Sequence, residues 1–176
     1  MTANLLNSEG KILSITKCEI NENNIFFEIN NLKNIKLWDI DSPSLYELDI
    51  SVETPHGIDN INERFGFRSA EFNKNGFMLN GNSLKIRGLN RHQSYPYVGY
   101  ALGKSAQHKD AEILKFDLRV NLVRTSHYPQ SKHFLNRCDE IGLLVFEEIP
   151  GWQHLGDKNW QNKSIENVQN MIERDW

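Results

Sequence analysis

Apolar and polar residues alternate through much of the first third of the chain. KILSITKCEI (11–20), NIFFEIN (24–30) and LYELDISVE (45–53) carry the period of two that places successive side chains on opposite faces of a strand. Asn-rich NENN (21–24) and Pro-containing DIDSPS (39–44) separate them as turns. FGFRSAEF (65–72) reads as a further strand, and FMLNGNSLKIRG as a hairpin turning at Asn80-Gly81-Asn82. This is the pattern of an antiparallel β-sandwich. It has four or five strands, where an immunoglobulin-like sandwich takes about seven.

After about residue 84 the rhythm changes. LKIRGLN (84–90) predicts a strand, followed by a loop with Pro96, Gly99 and Gly103. Residues 105–120 have helical spacing, with Ser105 as the expected N-cap and Ala106, Ile113, Leu114 and Leu118 as the expected buried stripe. NLVRT (121–125) predicts the next strand. Ser131 then caps a helix with Phe134, Leu135, Cys138 and Ile141 on one face, ended by Gly142. LLVFEE (143–148) predicts a third strand. Ser164 is the expected cap of a last helix bearing Ile165, Val168, Met171 and Ile172 and reaching Trp176. Strand and helix alternating three times is the rhythm of a parallel α/β sheet.

Composition narrows the function classes. The chain is 39% hydrophobic and 24% charged, with a formal net charge of −3. Its Lys and Arg are scattered, which argues against nucleic acid as a partner. No apolar run approaches the length of a membrane span, so no membrane role is expected. Met1–Gly10 lacks the basic and apolar regions of a secretory signal, and a cytoplasmic location is the expectation. Cys18 and Cys138 have no metal-ligand spacing, and Cys138 falls in the apolar phase of a helix as a buried, inert thiol.

The candidate chemistry lies at the carboxyl ends of the three parallel strands, where α/β sheets and barrels bind ligands. The first end carries Asn90-Arg91-His92-Gln93, the second Arg124-Thr125-Ser126-His127-Tyr128, and the third Glu147-Glu148 followed by Ile149-Pro150-Gly151-Trp152. Imidazole and guanidinium groups hydrogen-bond hydroxyls, and an indole face stacks on the C–H surface of a sugar. A single histidine at a strand end is commonly just solvated; two on successive strands favour a site. Arg124 serves equally well to settle charge against Glu147 or Glu148, and Trp152 equally well as loop packing. His56, His108 and His133 fall in turn or helix-surface contexts and read as solvated. Glu147 and Glu148 are neighbours on a strand, so only one can face a pocket. They therefore do not form the pair of carboxylates, about 5–5.5 Å apart, that a retaining glycosidase needs.

The segment NLVRTSHYPQSKHFLNRCDEIGLLVF (121–146) closely resembles the first signature of glycoside hydrolase family 2, the family of β-galactosidases, β-glucuronidases and β-mannosidases. Asn121, Arg124, His127, Tyr128, Pro129, Phe134, Leu135, Asp139 and Gly142 fill its pattern. LNGNSLKIRGLNRHQ (79–93) resembles the opening strand of the family's barrel. KLWDIDSPSLYELDI (36–50) and RFGFR (64–68) resemble the end of its immunoglobulin-like domain. The resemblance implies a partial immunoglobulin-like β-sandwich over residues 1–68. The first three βα units of a (β/α)8 TIM barrel follow over 69–176.

It also implies retaining hydrolysis of terminal β-glycosidic bonds, most like that of a β-galactosidase. His92, His127, Asn90 and Trp152 would hold the sugar, and Arg124 would orient the nucleophilic carboxylate. Arg91, Tyr128 and Glu148 would support them. The partner is a β-linked sugar, galactoside first, and the parent enzyme has the scope to be a homo-oligomer. In the family's metal-dependent branch a glutamate and a histidine after the third strand bind magnesium. Here Trp152 stands at the glutamate position while His154 matches the histidine. With one hard oxygen ligand lost, no metal and no cofactor are expected. The family's acid/base and nucleophilic carboxylates have no counterpart in the residues matched. The chain by itself is therefore expected to be an inactive internal fragment. A non-catalytic carbohydrate-binding or interaction module is the alternative.

Overall fold

A computed structural model describes residues 1–19 and 25–175; the turn expected at 21–24, Ile20, Asn24 and Trp176 lie outside the described residues. The chain forms two compact units, Met1–Ser83 and Leu84–Trp176.

The first unit is antiparallel. Strands β1 (Thr2–Asn7), β2 (Ile12–Lys17), β3 (Tyr46–Thr54) and β4 (Gly57–Phe65) form one sheet in the order β2-β1-β3-β4. The hairpin strands β5 (Ala70–Asn73), β6 (Gly76–Leu79) and β7 (Asn82–Ser83) form another. Asn80 and Gly81 both have positive φ, 51° and 78°, as the tight turn between β6 and β7 requires. Trp38 is buried and its N–H donates to the Phe67 carbonyl at 2.8 Å. A Cβ on Gly66 would lie 2.7 Å from that of Trp38, so this close approach requires glycine.

Two strand expectations change. Residues 25–30 belong to no strand. The place beside β3 is taken by the polar-looking opening segment, whose Ala3 and Leu5 are buried. The stretch 65–72 is not one strand either: Phe65 ends β4 and Ala70 begins β5. β4 is almost wholly exposed and polar, so its pairing with β3, rather than an apolar face, holds it.

The second unit has a three-stranded parallel sheet of β8 (Gly88–Arg91), β9 (Leu122–Thr125) and β10 (Leu144–Phe146), with β9 in the middle. Helices α1 (Lys104–Glu112) and α2 (Lys132–Ile141) cover one face. There Ala111, Leu114, Val123, Phe134, Cys138, Ile141 and Leu143 form the core. Alternation sends Leu122, Arg124, Leu144 and Phe146 to the other face. Gly88 permits the close pairing of β8 with β9, since a Cβ there would meet the Leu122 carbonyl oxygen at 2.8 Å.

Helix α2 follows its sequence signals. The Ser131 hydroxyl accepts from the His133 N–H, and Gly142 closes the helix in the left-handed region at φ 74°. Burial pushes the Cys138 thiol well above its usual range.

The other two helices depart from expectation at their ends. Helix α1 starts one residue before Ser105, because the Gly103 carbonyl already accepts from the Ala106 and Gln107 N–H groups. It runs on into a π-helical turn, Ile113–Asp117, where the Leu118 N–H reaches five residues back to Ile113. Of the expected stripe Leu114 is buried and Ala106 and Ile113 are half-buried, with Gln107 and Ala111 buried beside them; the extra residue of the π-helical turn leaves Leu118 exposed. Helix α3 (Lys158–Asp175) begins six residues before Ser164, with the Asp157 carboxylate accepting from the Trp160 N–H at 2.9 Å. Ser164 sits inside the helix and donates to the Trp160 carbonyl. Ile165, Val168 and Ile172 remain exposed. No helix among the described residues is long and apolar enough to cross a membrane.

Candidate functional site

The end of β9 delivers Arg124 to the face away from the helices, and the turn after it carries His127. The segment after β10 brings Glu148 to meet both. Arg124 Nε lies 2.9 Å from Glu148 Oε2, and Arg124 Nη2 donates to Glu148 Oε1 at 2.9 Å. The Nη2–Oε1 contact is a charge-assisted hydrogen bond, and the approach of Nε to Oε2 adds charge attraction beside it. His127 Nδ1 is 3.0 Å from the same Glu148 Oε1 and 3.2 Å from Arg124 Nη2. A guanidinium nitrogen can only donate, so the carboxylate resolves the crowding by accepting from both neighbours. With its Nδ1 proton directed at Glu148, His127 keeps Nε2 for another partner. Burial would raise the Glu148 carboxyl, but hydrogen bonds from His127 and Arg124 and their positive charge outweigh it and hold it below the usual range.

Aromatic groups continue along the rim. The His127 ring stacks on Trp152 at 5.4 Å between centroids, and His92 meets His127 edge-on at 5.4 Å. Trp152 holds its exposed indole there from a left-handed backbone at φ 47°. Tyr128 lies 6.4 Å from His92 and 5.4 Å from Tyr100. Burial first, and then the neighbouring Tyr100, raise the Tyr128 phenol above its usual value. Asn90 pairs in register with Arg124, so both belong to the same sheet face.

Arg91 points the other way. It is buried on the helix face, where its guanidinium contacts Asp110 Oδ2 at 2.7 Å and lies 3.9 Å above the Phe134 ring. A groove of about 260 Å³ beside β8 is lined by Asn90, Arg91, His92, Asp110, Ile113 and Leu114; Arg124, His127 and Glu148 are not among its lining residues.

Glu147 and Glu148 lie just beyond the end of β10 and go to different clusters. Glu147 lies near Arg174 and Asp175, away from the Arg124 cluster. Burial first, then the negative charge of Asp175, pushes Glu147 up to about 7, against the opposing pull of Arg174.

The sequence reading passed over Gln107, Asp110 and Gln130, which surround Arg91. Gln130 directly follows His127-Tyr128-Pro129, but a glutamine in a polar loop carries no local sign of burial. Among the described residues, no group of three or more His, Cys, Asp or Glu side chains is placed to hold a metal ion.

Comparison with known proteins bears on this arrangement. A family model described as glycosyl hydrolases family 2, TIM barrel domain, matches residues 70–176. A second, described as glycosyl hydrolases family 2, matches residues 2–68. A β-galactosidase of Thermoanaerobacterium thermosulfurigenes is 61% identical over 150 residues, covering 85% of this chain and 21% of that protein. A β-galactosidase of Thermoanaerobacter pseudethanolicus is 50% identical over 175 residues, covering 97% of this chain and 23% of that protein. Among solved structures, a β-glucuronidase of Parabacteroides merdae superposes with a TM-score of 0.86 at 34% identity, over 97% of this chain and 22% of its own. The chain thus spans about a fifth of the length of the relatives it matches. A sandwich with β strands paired antiparallel, three parallel βα units of a TIM barrel, and two family models that together cover nearly every residue place the chain in glycosyl hydrolase family 2.

Proposed function

We infer that this chain supplies the sugar-holding rim of a retaining β-glycosidase acting on terminal β-galactosides. The observation that carries this reading is the convergence of Arg124, His127 and Glu148, with His92 and Trp152 beside them. His127, oriented through Nδ1, offers Nε2 to a sugar hydroxyl, and His92 and Asn90 add polar contacts. The Trp152 indole provides a flat apolar surface for the sugar C–H groups. Arg124 spends its Nε–Nη2 edge on Glu148, which leaves the Nη1 end to hold a nucleophilic carboxylate ionised. Tyr128 and Arg91 support this rim from beside and beneath. The higher identity to proteins named β-galactosidase favours galactosides over glucuronides.

The proposal assigns no hydrolysis to this chain in isolation. Retention needs two carboxyl groups about 5–5.5 Å apart across one bond. Glu147 and Glu148 serve separate clusters, and a carboxylate held low by Arg124 and His127 is a poor general acid. The reading uses no magnesium ion, because an indole and one imidazole make a weak site for a hard cation.

The test pairs calorimetric titration of the folded chain with D-galactose and D-glucuronate and an assay on aryl β-galactoside and β-glucuronide. Galactose binding that disappears in His127→Ala, without turnover, is expected. Absence of binding to either sugar would refute the reading of the rim. Turnover abolished by His127→Ala would refute the assignment of binding without hydrolysis.

A further inference from the structure

Beneath the rim, on the helix side of the sheet, lies a buried polar network. Arg91 is 6% exposed, and Gln107 and Gln130 are 1% exposed each. Arg91 Nη1 donates to Gln130 Oε1 at 2.5 Å, and Nη2 donates to Gln107 Oε1 at 2.7 Å. Burying a guanidinium is costly unless its donors are met, and Asp110 with these two amides meets them.

Gln107 and Gln130 differ in what else they do. Gln107 belongs to α1. Gln130 ends the turn that carries His127, and both its side-chain amide and its backbone carbonyl are engaged. Its Nε2 donates to the Tyr128 carbonyl at 3.1 Å, and its own carbonyl accepts from Arg174 Nη2 at 3.0 Å. The same turn is fastened on either side: the Ser126 N–H donates to the Arg91 carbonyl at 3.0 Å, and the Ser131 N–H to Gln93 Oε1 at 3.2 Å. Gln130 is thus the side chain through which the buried Arg91 grips the Tyr128–Pro129 peptide, one residue beyond His127.

We propose that Gln130 is a positioning residue: through the Tyr128 carbonyl it sets the height and tilt of the His127 ring, and so sets sugar affinity without touching sugar. The sugar part of this statement rests on the function proposed above; the effect on His127 does not. Ring orientation controls affinity because a hydrogen bond weakens steeply with misalignment. His127 has to satisfy Glu148, Trp152 and a ligand from one placement.

The test uses the whole 176-residue chain. Gln130→Glu keeps an acceptor for Arg91 but sets a carboxylate against the Tyr128 carbonyl where the amide N–H stood. Gln130→Met is the second variant, removing both contacts at similar length. Gln107→Leu is the control, removing a partner of Arg91 that belongs to α1 and not to the turn. Imidazole nitrogen NMR, with His127 assigned through His127→Asn, reports whether Nδ1 carries the proton directed at Glu148. Titration with D-galactose reports affinity.

Gln130→Glu should lose the Nδ1-protonated signature and weaken galactose binding about tenfold while melting close to the parent. Gln107→Leu should melt lower with the signature and affinity intact. Unchanged His127 signals in folded Gln130→Glu would overturn the proposal, as would an equal change in Gln107→Leu. Failure of both Gln130 variants to fold would overturn it in favour of a purely structural role. A parent chain that ignores galactose would refute the proposed function, while the imidazole signals would still decide the role of Gln130.

Discussion

Glu147 offers a quantitative test of how the second unit is held together. Burial and the neighbouring Asp175 hold its carboxyl at about 7 in the folded chain, against an ordinary value of 4.5. The folded state therefore keeps a proton that the unfolded state gives up, and stability falls as pH rises from about 4.5 to about 7. At roughly 1.4 kcal/mol per pH unit, the gap is worth about 3 kcal/mol. Gln at this position mimics the protonated form at every pH. Glu147→Gln should thus gain about 3 kcal/mol relative to the parent between pH 4 and pH 8. The attraction of Arg174, whose Nη2 lies 3.9 Å from Glu147 Oε1, is already contained in the value of about 7 and does not enter a second time. The assay is urea unfolding of both proteins at the two pH values, followed through the amide signals of residues 144–146 so that the second unit is read by itself. A free-energy difference between the proteins that stays constant within about 0.5 kcal/mol across this range would refute the reasoning.

Arg124→Met should cost the second unit about 1 kcal/mol, a modest figure because a third of Arg124 is open to solvent. Since Glu148 is held below its usual range, this contribution is present above the ordinary glutamate range and vanishes as pH falls through the lowered value; thermal melts at pH 7 and pH 3 check it. Arg91→Met should lower stability by about 3 kcal/mol, because Asp110 loses its guanidinium partner and two buried glutamine oxygens lose a donor; urea unfolding reads it. Gly142→Ala should cost about 1 kcal/mol through its left-handed φ of 74°, seen as a lower melting temperature with an unchanged far-ultraviolet spectrum.

Local signals in the sequence determined much of the second unit. The period of Phe134, Cys138 and Ile141, the Ser131 cap and the Gly142 terminus are interactions between near neighbours, and α2 follows them. The polar strand ends were equally legible, because a run such as Arg124–Tyr128 after a buried strand has no apolar partner to seek. Strand alternation alone separated Glu147 from Glu148, and the structure sends them to different clusters.

Tertiary structure decided what depends on distant partners. The opening segment pairs along β3 and buries Ala3 and Leu5, although the alternation that predicts strands begins only at Lys11. The π-helical turn after α1 moves Leu118 to the surface, a change of register that no local pattern announces. Arg91 and His92 are adjacent in sequence and similar in kind, yet one is locked beneath the sheet and the other lies on the rim. Gln130 has a role only because Arg91, 39 positions away, lies beneath it. Spacing along the chain encodes which face a side chain takes, whereas the charge or carbonyl it meets there is set by how the strands and helices pack.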